Sequence, residues 1–215
     1  MRWLFDINNP VMRWITKIFD CMCLSLIWVV ASLPMITIGA STTALFAAIH
    51  RYIRLEEGGL WKTFWHAFRE NFKRSTLCWI VVMLVLVLLA VDVLVFRTMA
   101  LNGQFLGKMY WVILLLIGIA LTWMTYIFSY AERFNGTVKD VLWFSLLMMI
   151  LHPIKAFVVL ALLLGATALV VLAPGFLMIV PAAVCWLCDS VIASVFALHL
   201  REEDREQLDA QKKEA

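Results

Sequence analysis

Charge is what this chain withholds. Residues 21–49, 109–131 and 156–188 contain no Asp, Glu, Lys or Arg, and 75–96 contains only Asp92. A soluble domain cannot hide four such runs, whereas each helix that crosses a bilayer requires about 20 mostly apolar residues. Charged residues make up 15% of the chain and hydrophobic ones 64%, against ~25% charged in soluble domains. Most of the 215 residues are taken up by these runs, which leaves no room for a separate soluble catalytic domain. The glycine-rich nucleotide loop, the G-x-S-x-G elbow and the HExxH helix are all missing, and with them the signatures of nucleotide, acyl-transfer and zinc-peptidase chemistry. Cys21, Cys23, Cys185 and Cys188 lie in apolar runs, where free thiols behave as small apolar residues. His50, His66, His152 and His199 are scattered, so the four ligands of a zinc site are not gathered by spacing. No metal, cofactor or nucleic-acid partner is expected, and the chain is read as a non-enzyme.

What is present is a set of long apolar segments with punctuation. As one helix, residues 21–49 would reach about 43 Å, too long for a ~30 Å hydrocarbon core. Pro34 removes a backbone donor and disfavours helical geometry at Leu33. Gly39 tolerates positive φ, and Ser41, Thr42 or Thr43 suits the cap of a following helix. A helical hairpin with its tip at 34–40 is therefore expected. Its returning arm, 41–57, either spans or stops short as a re-entrant arm. Further spans are expected at 75–96 and 109–131. Pro174-Gly175 marks a turn between two more, at 154–173 and 176–200. The fold expected is all-α: a polytopic membrane bundle of about six transmembrane or re-entrant helices in three hairpins. Residues 1–200 form one membrane domain, and 201–215 form a polar tail.

The basic residues orient it. With a cytoplasmic N-terminus, 16 of the 18 Lys and Arg face inward and only Arg97 and Lys108 face out, a strong positive-inside bias. Both termini are expected in the cytoplasm. Asp6, Arg13, Lys17 and Asp20 interrupt the first residues, so a cleaved signal is not expected. Trp61, Phe64, Trp65, Phe68 and Phe72 recur at helical spacing opposite Lys62, Arg69, Lys73 and Arg74. This predicts an interfacial elbow helix at 60–74 on the cytoplasmic side, for lipid anchoring or partner docking. A second elbow is expected at 137–151, after Asn135-Gly136 and before His152-Pro153.

Several segments in order carry a resemblance: residues 5–13, 26–28, 32–45 with Pro34-Met35-Ile36-Thr37-Ile38-Gly39 at its centre, 51–57, and 64–73. Together they resemble the YesL-like family of bacterial integral membrane proteins, a family of unknown function. The resemblance spans nearly the whole chain and is most specific in the first 75 residues. It implies a bacterial plasma-membrane protein acting near carbohydrate uptake, with the permease or ATPase subunits of a sugar ABC importer as partners. It brings no catalytic residues to transfer.

Two kinds of candidate site remain. Pro34, Thr37, Gly39, Ser41 and Thr42 mark a broken helix, which either exposes backbone groups to a substrate or forms a turn closed by its own hydroxyls. Asp189 and Asp92 are the intramembrane carboxylates, which serve a proton or substrate or else make helix–helix polar contacts. Asp189, among Cys188, Ser190 and Ser194, needs a protein partner or water. The leading expectation is a non-enzymatic accessory or regulator of carbohydrate ABC import. The alternative is a small transporter that works through the break at 34–39 and Asp189.

Overall fold

The computed structural model describes residues 10–54, 59–102, 105–134 and 136–196. Among these residues the fold is all-α, with no strand. The expected polar tail at 201–215, the end of the last span at 197–200 and residues 55–57 of the returning arm lie outside the described residues.

Helix α1 (Pro10–Ala31) ends just before Pro34, and a single 3-10 turn, Met35–Thr37, leads into α2 (Ile38–Ala48). The break is thus complete by Thr37. Gly39 is not in the tip, as expected from sequence, but in the first turn of α2. Ser41, Thr42 and Thr43 do not cap the helix; they lie inside it, and their hydroxyls donate to the carbonyls of Ile38, Ile38 and Gly39 at 3.0, 2.7 and 3.0 Å. With 11 residues, α2 is about 16 Å long, roughly half of a hydrocarbon core. It continues as a π-helical stretch, Ile49–Arg54.

Helix α3 runs unbroken over Leu60–Leu101, 42 residues or about 63 Å. The elbow expected at 60–74 and the span expected at 75–96 are therefore one helix. The reason is local: nothing at Arg74-Ser75 interrupts the backbone, and no Gly or Pro occurs between 60 and 101 to kink it. At the second expected elbow the chain does break. Helix α5 (Val138–Leu151) stands apart from α4 (Met109–Arg133) and α6 (Pro153–Leu172). Thr137 and Asp140 form a capping box at its start, in which the Asp140 N–H donates to the Thr137 hydroxyl and the Thr137 N–H donates to the Asp140 carboxylate. The Thr137 hydroxyl, which donates to the Asp140 carboxylate at 2.6 Å, and the Thr137 N–H hold the exposed Asp140 carboxyl below its usual range. At the other end, Pro153 drives His152 out of helical geometry, to φ −124° and ψ 64°, and opens α6 from its first position.

A 3-10 turn, Pro174–Met178, separates α6 from α7 (Val180–Phe196). Among the described residues, α3, α4 and α6 are the three helices long and apolar enough to cross a membrane; α7 is apolar but shorter.

The centre of the bundle is α2. Nine of its 11 residues are buried, and their small size lets neighbouring backbones close in, as in membrane helix interfaces. Gly39 sits so near α3 that a Cβ there would lie 2.6 Å from both the Ser75 carbonyl oxygen and Trp79 Cβ. Helix α2 and the 3-10 turn before it pack against α3, where the Thr43 hydroxyl donates to Ser75 at 2.9 Å and the Trp79 indole donates to the Met35 carbonyl at 2.8 Å. Beyond Val82, α3 has no buried residue; one stripe of it, starting at Met83 and Leu86, is half-buried, and the rest is exposed. Ser25 of α1 is fully buried and ties in α7, accepting from the Ala182 N–H at 3.1 Å. That N–H belongs to the first turn of α7, where helical donors need outside partners.

Candidate functional site: a buried charge cluster

The most polar place inside the molecule lies where the π stretch after α2, the end of α4 and the middle of α7 meet. Asp189 is 1% exposed and Glu132 8%. An isolated carboxylate at such burial is very costly, and the neighbours explain how both are tolerated. The Arg133 guanidinium bonds Asp189 directly through Nη2 and places Nε 3.6 Å from Glu132. Its Nη1 donates to the Ser129 hydroxyl at 3.3 Å, and its carbon lies 4.9 Å above the Phe196 ring, a cation–π contact. Arg51 Nε stands 3.7 Å from Glu132.

His50 completes the group. Its Nδ1 lies 3.4 Å from Arg133 Nη2 and 3.5 Å from Asp189 Oδ2. That nitrogen accepts from the arginine when the ring is neutral, or donates to the carboxylate when it is protonated. Glu132 Oε2 is buried and receives no hydrogen bond. Two carboxylates and two guanidiniums thus stand together, with a guanidinium beside each carboxylate. Among the described residues no three His, Cys, Asp or Glu side chains are grouped to hold a metal.

The structure gathers only one of the two carboxylates singled out from sequence. Asp189 is in the cluster; Asp92 is exposed in the second half of α3. His50, Arg51, Glu132 and Arg133 were missed as site residues. Glu132-Arg133 at the end of an otherwise charge-free run is the signal that pointed to them, since adjacent opposite charges at a span boundary suit a buried partner. The need of Asp189 for a partner was legible; its identity, 56 residues away, was not.

The broken segment is closed rather than open. The Thr37 hydroxyl bonds the carbonyls of Ala31 and Pro34 at 2.6 and 2.7 Å, which completes the end of α1. The Ser41 hydroxyl shares a 2.6 Å bond with that of Ser32, and the Trp28 indole donates to Thr42 at 3.2 Å. Pro34 is exposed and Gly39 is buried against α3. Each hydroxyl named from sequence in this segment is bonded to a neighbouring protein group.

The basic residues of α3 divide. Lys62, Arg69 and Lys73 are exposed, and Arg69 lies over the Trp65 ring at 5.6 Å. Arg74 turns inward instead. Its Nη1 donates to the carbonyls of Phe134 and Gly136 at 2.9 and 3.4 Å. Its Nη2 donates to Asn71 at 2.6 Å and to the Ala131 carbonyl. A cation on the last carbonyls of α4 satisfies acceptors that the helix leaves open and opposes its dipole. Arg74→Gln is expected to destabilise the fold by about 1–2 kcal/mol, read as a lower melting temperature in detergent. The exposed-site variant Lys73→Gln is expected to change nothing measurable by the same assay.

An all-α bundle with three apolar helices of spanning length among the described residues defines a polytopic membrane protein. Residues 21–93, about a third of the chain, match the family described as "Protein of unknown function, DUF624", in keeping with the resemblance to YesL-like membrane proteins. No curated protein and no solved structure matches the chain.

Proposed function

We propose that this chain is a non-enzymatic membrane protein that assists or regulates a carbohydrate ABC importer, with the first turns of α3 as its docking surface. The observation that carries this reading is the unbroken course of α3. A helix that runs on unbroken from an apolar section of spanning length is not a separate element laid along the leaflet, and we read the 60–74 arm as leaving the membrane. Its exposed side presents Trp61 and Trp65, stacked at 6.2 Å, with Lys62, Arg69 and Lys73. Aromatic and arginine side chains together are the residues that anchor protein interfaces. This favours docking over the lipid anchoring that a separate elbow would serve. The carbohydrate importer itself comes from the family resemblance, and the cytoplasmic placement of the arm and of both termini from the basic residues.

Purification of the full chain in mild detergent is expected to recover permease or ATPase subunits of a sugar importer, and the W61A/R69A double variant is expected to lose them. Recovery of the chain alone, or equal recovery by the variant, overturns the reading. The carrier alternative draws no support from the closed 34–42 segment or the neutralised Asp189. Sugar flux into reconstituted vesicles above that of empty ones would restore it.

A further inference from the structure

The bundle is not packed throughout. Between α2, α4, α6 and α7 lies a cavity of about 470 Å³, within the ~300–1,000 Å³ usual for small-molecule sites. Phe46 of α2 and Phe128 of α4 form part of its wall, opposite Leu163, Ala166 and Val170 of α6. Ordinary ligand sites add a few convergent polar groups to fix a polar ligand. Here no charged side chain lines the wall. Three lining residues carry hydroxyls, and each donates back to its own helix: Thr42 to Ile38, Thr125 to Leu121 and Thr167 to Leu163. The Trp28 indole N–H is spent on Thr42. Water needs two to four polar partners; with these protons spent the wall offers only scattered acceptors, and a void so largely apolar stays dry or takes an apolar guest. A sugar, with a hydroxyl on nearly every carbon, would be stripped of hydrogen bonds on entry.

What the cavity opens onto names the guest. The α6 wall is continuous with a face that is bare to the outside: Leu164, Leu169, Val171 and Leu172 are all exposed, in a helix with the length and composition of a membrane span. The medium against that face is hydrocarbon. We infer that the cavity between α2, α4, α6 and α7 is a binding site for one acyl chain of a membrane phospholipid. The chain enters beside α6 and replaces the protein contacts that the cavity walls lack.

Native mass spectrometry of the full-length protein tests this. Purified in detergent and mixed with phosphatidylglycerol of 16- or 18-carbon chains, the wild type is expected to retain one lipid. Ala166→Leu, which puts a larger side chain into the cavity, is expected to weaken retention about tenfold, the loss when roughly two methylenes are denied burial. Leu164→Trp, on the bare side of α6, leaves retention unchanged. Circular dichroism and size-exclusion elution identify a misfolded variant. Should Ala166→Leu misfold, quenching by phosphatidylglycerol with brominated chains replaces it: wild-type tryptophan emission must fall by more than that of the Trp28→Phe variant. Retention equal in wild type and Ala166→Leu, equal quenching in the second arm, no retained lipid, or a lipid-free dimer that Ala166→Leu dissociates would each overturn the proposal.

Discussion

Arg133→Ala is expected to be the most damaging single substitution in this chain. It removes the cation that bonds Asp189 and flanks Glu132, and leaves two buried carboxylates to His50 and a half-exposed Arg51. Breaking a buried ion pair from one side costs about 3–5 kcal/mol because the partner charge stays uncompensated. For a chain of this length that lowers the melting temperature by on the order of 10 °C. The informative comparison is with the double variant Arg133→Met/Asp189→Leu. Replacing both partners of a buried pair by apolar groups is often neutral, so the double variant is expected to recover most of the stability lost by the single one. A double variant as unstable as Arg133→Ala would mean that the arginine matters through Ser129, Glu132 and Phe196 rather than through Asp189. Adding the single variants Arg133→Met and Asp189→Leu closes a double-mutant cycle, which isolates the coupling between the two residues.

The second large effect is expected at Gly39. A Cβ there meets the backbone carbonyl of Ser75 at 2.6 Å, and backbone in the middle of a helix cannot swing aside as a long side chain does. Gly39→Ala is expected to cost about 1–3 kcal/mol, the range for overpacked interiors, and Gly39→Val more. The change pushes α2 off α3, so it should also loosen the Thr43–Ser75 bond of 2.9 Å and the Trp79–Met35 bond at the hairpin tip. Thermal melting reads the stability loss. Faster hydrogen exchange of the α2 amides relative to those of α4 would show that the separation is local. Unchanged melting in Gly39→Ala would mean that the two helices are not closely apposed in the membrane.

Much of this was legible in the residues, and the rest failed for identifiable reasons. The α4 and α6 spans follow from charge-free length, because only continuous apolar surface can face hydrocarbon. Pro34, Pro153 and Pro174 each fall at a break, because a proline's missing N–H and its clash with the preceding residue act through local geometry alone. The absence of an equivalent signal at Arg74-Ser75 was equally readable, yet the switch from an aromatic–basic pattern to an apolar one suggested a bend. A change of environment along a helix does not require a change of direction.

The sequence by itself determined the helices, their breaks, the apolar surfaces and the charge asymmetry, because these depend on contacts within a few residues or on the solvent each face meets. The tertiary structure alone decided what the polar groups do. It joined Asp189 to Arg133 and Arg74 to the end of α4, it turned Gly39 from a turn residue into a contact residue, and it left the cavity beside α6 unfilled. Each of these is a meeting of surfaces dozens of residues apart, and their pairing is set by how whole helices pack.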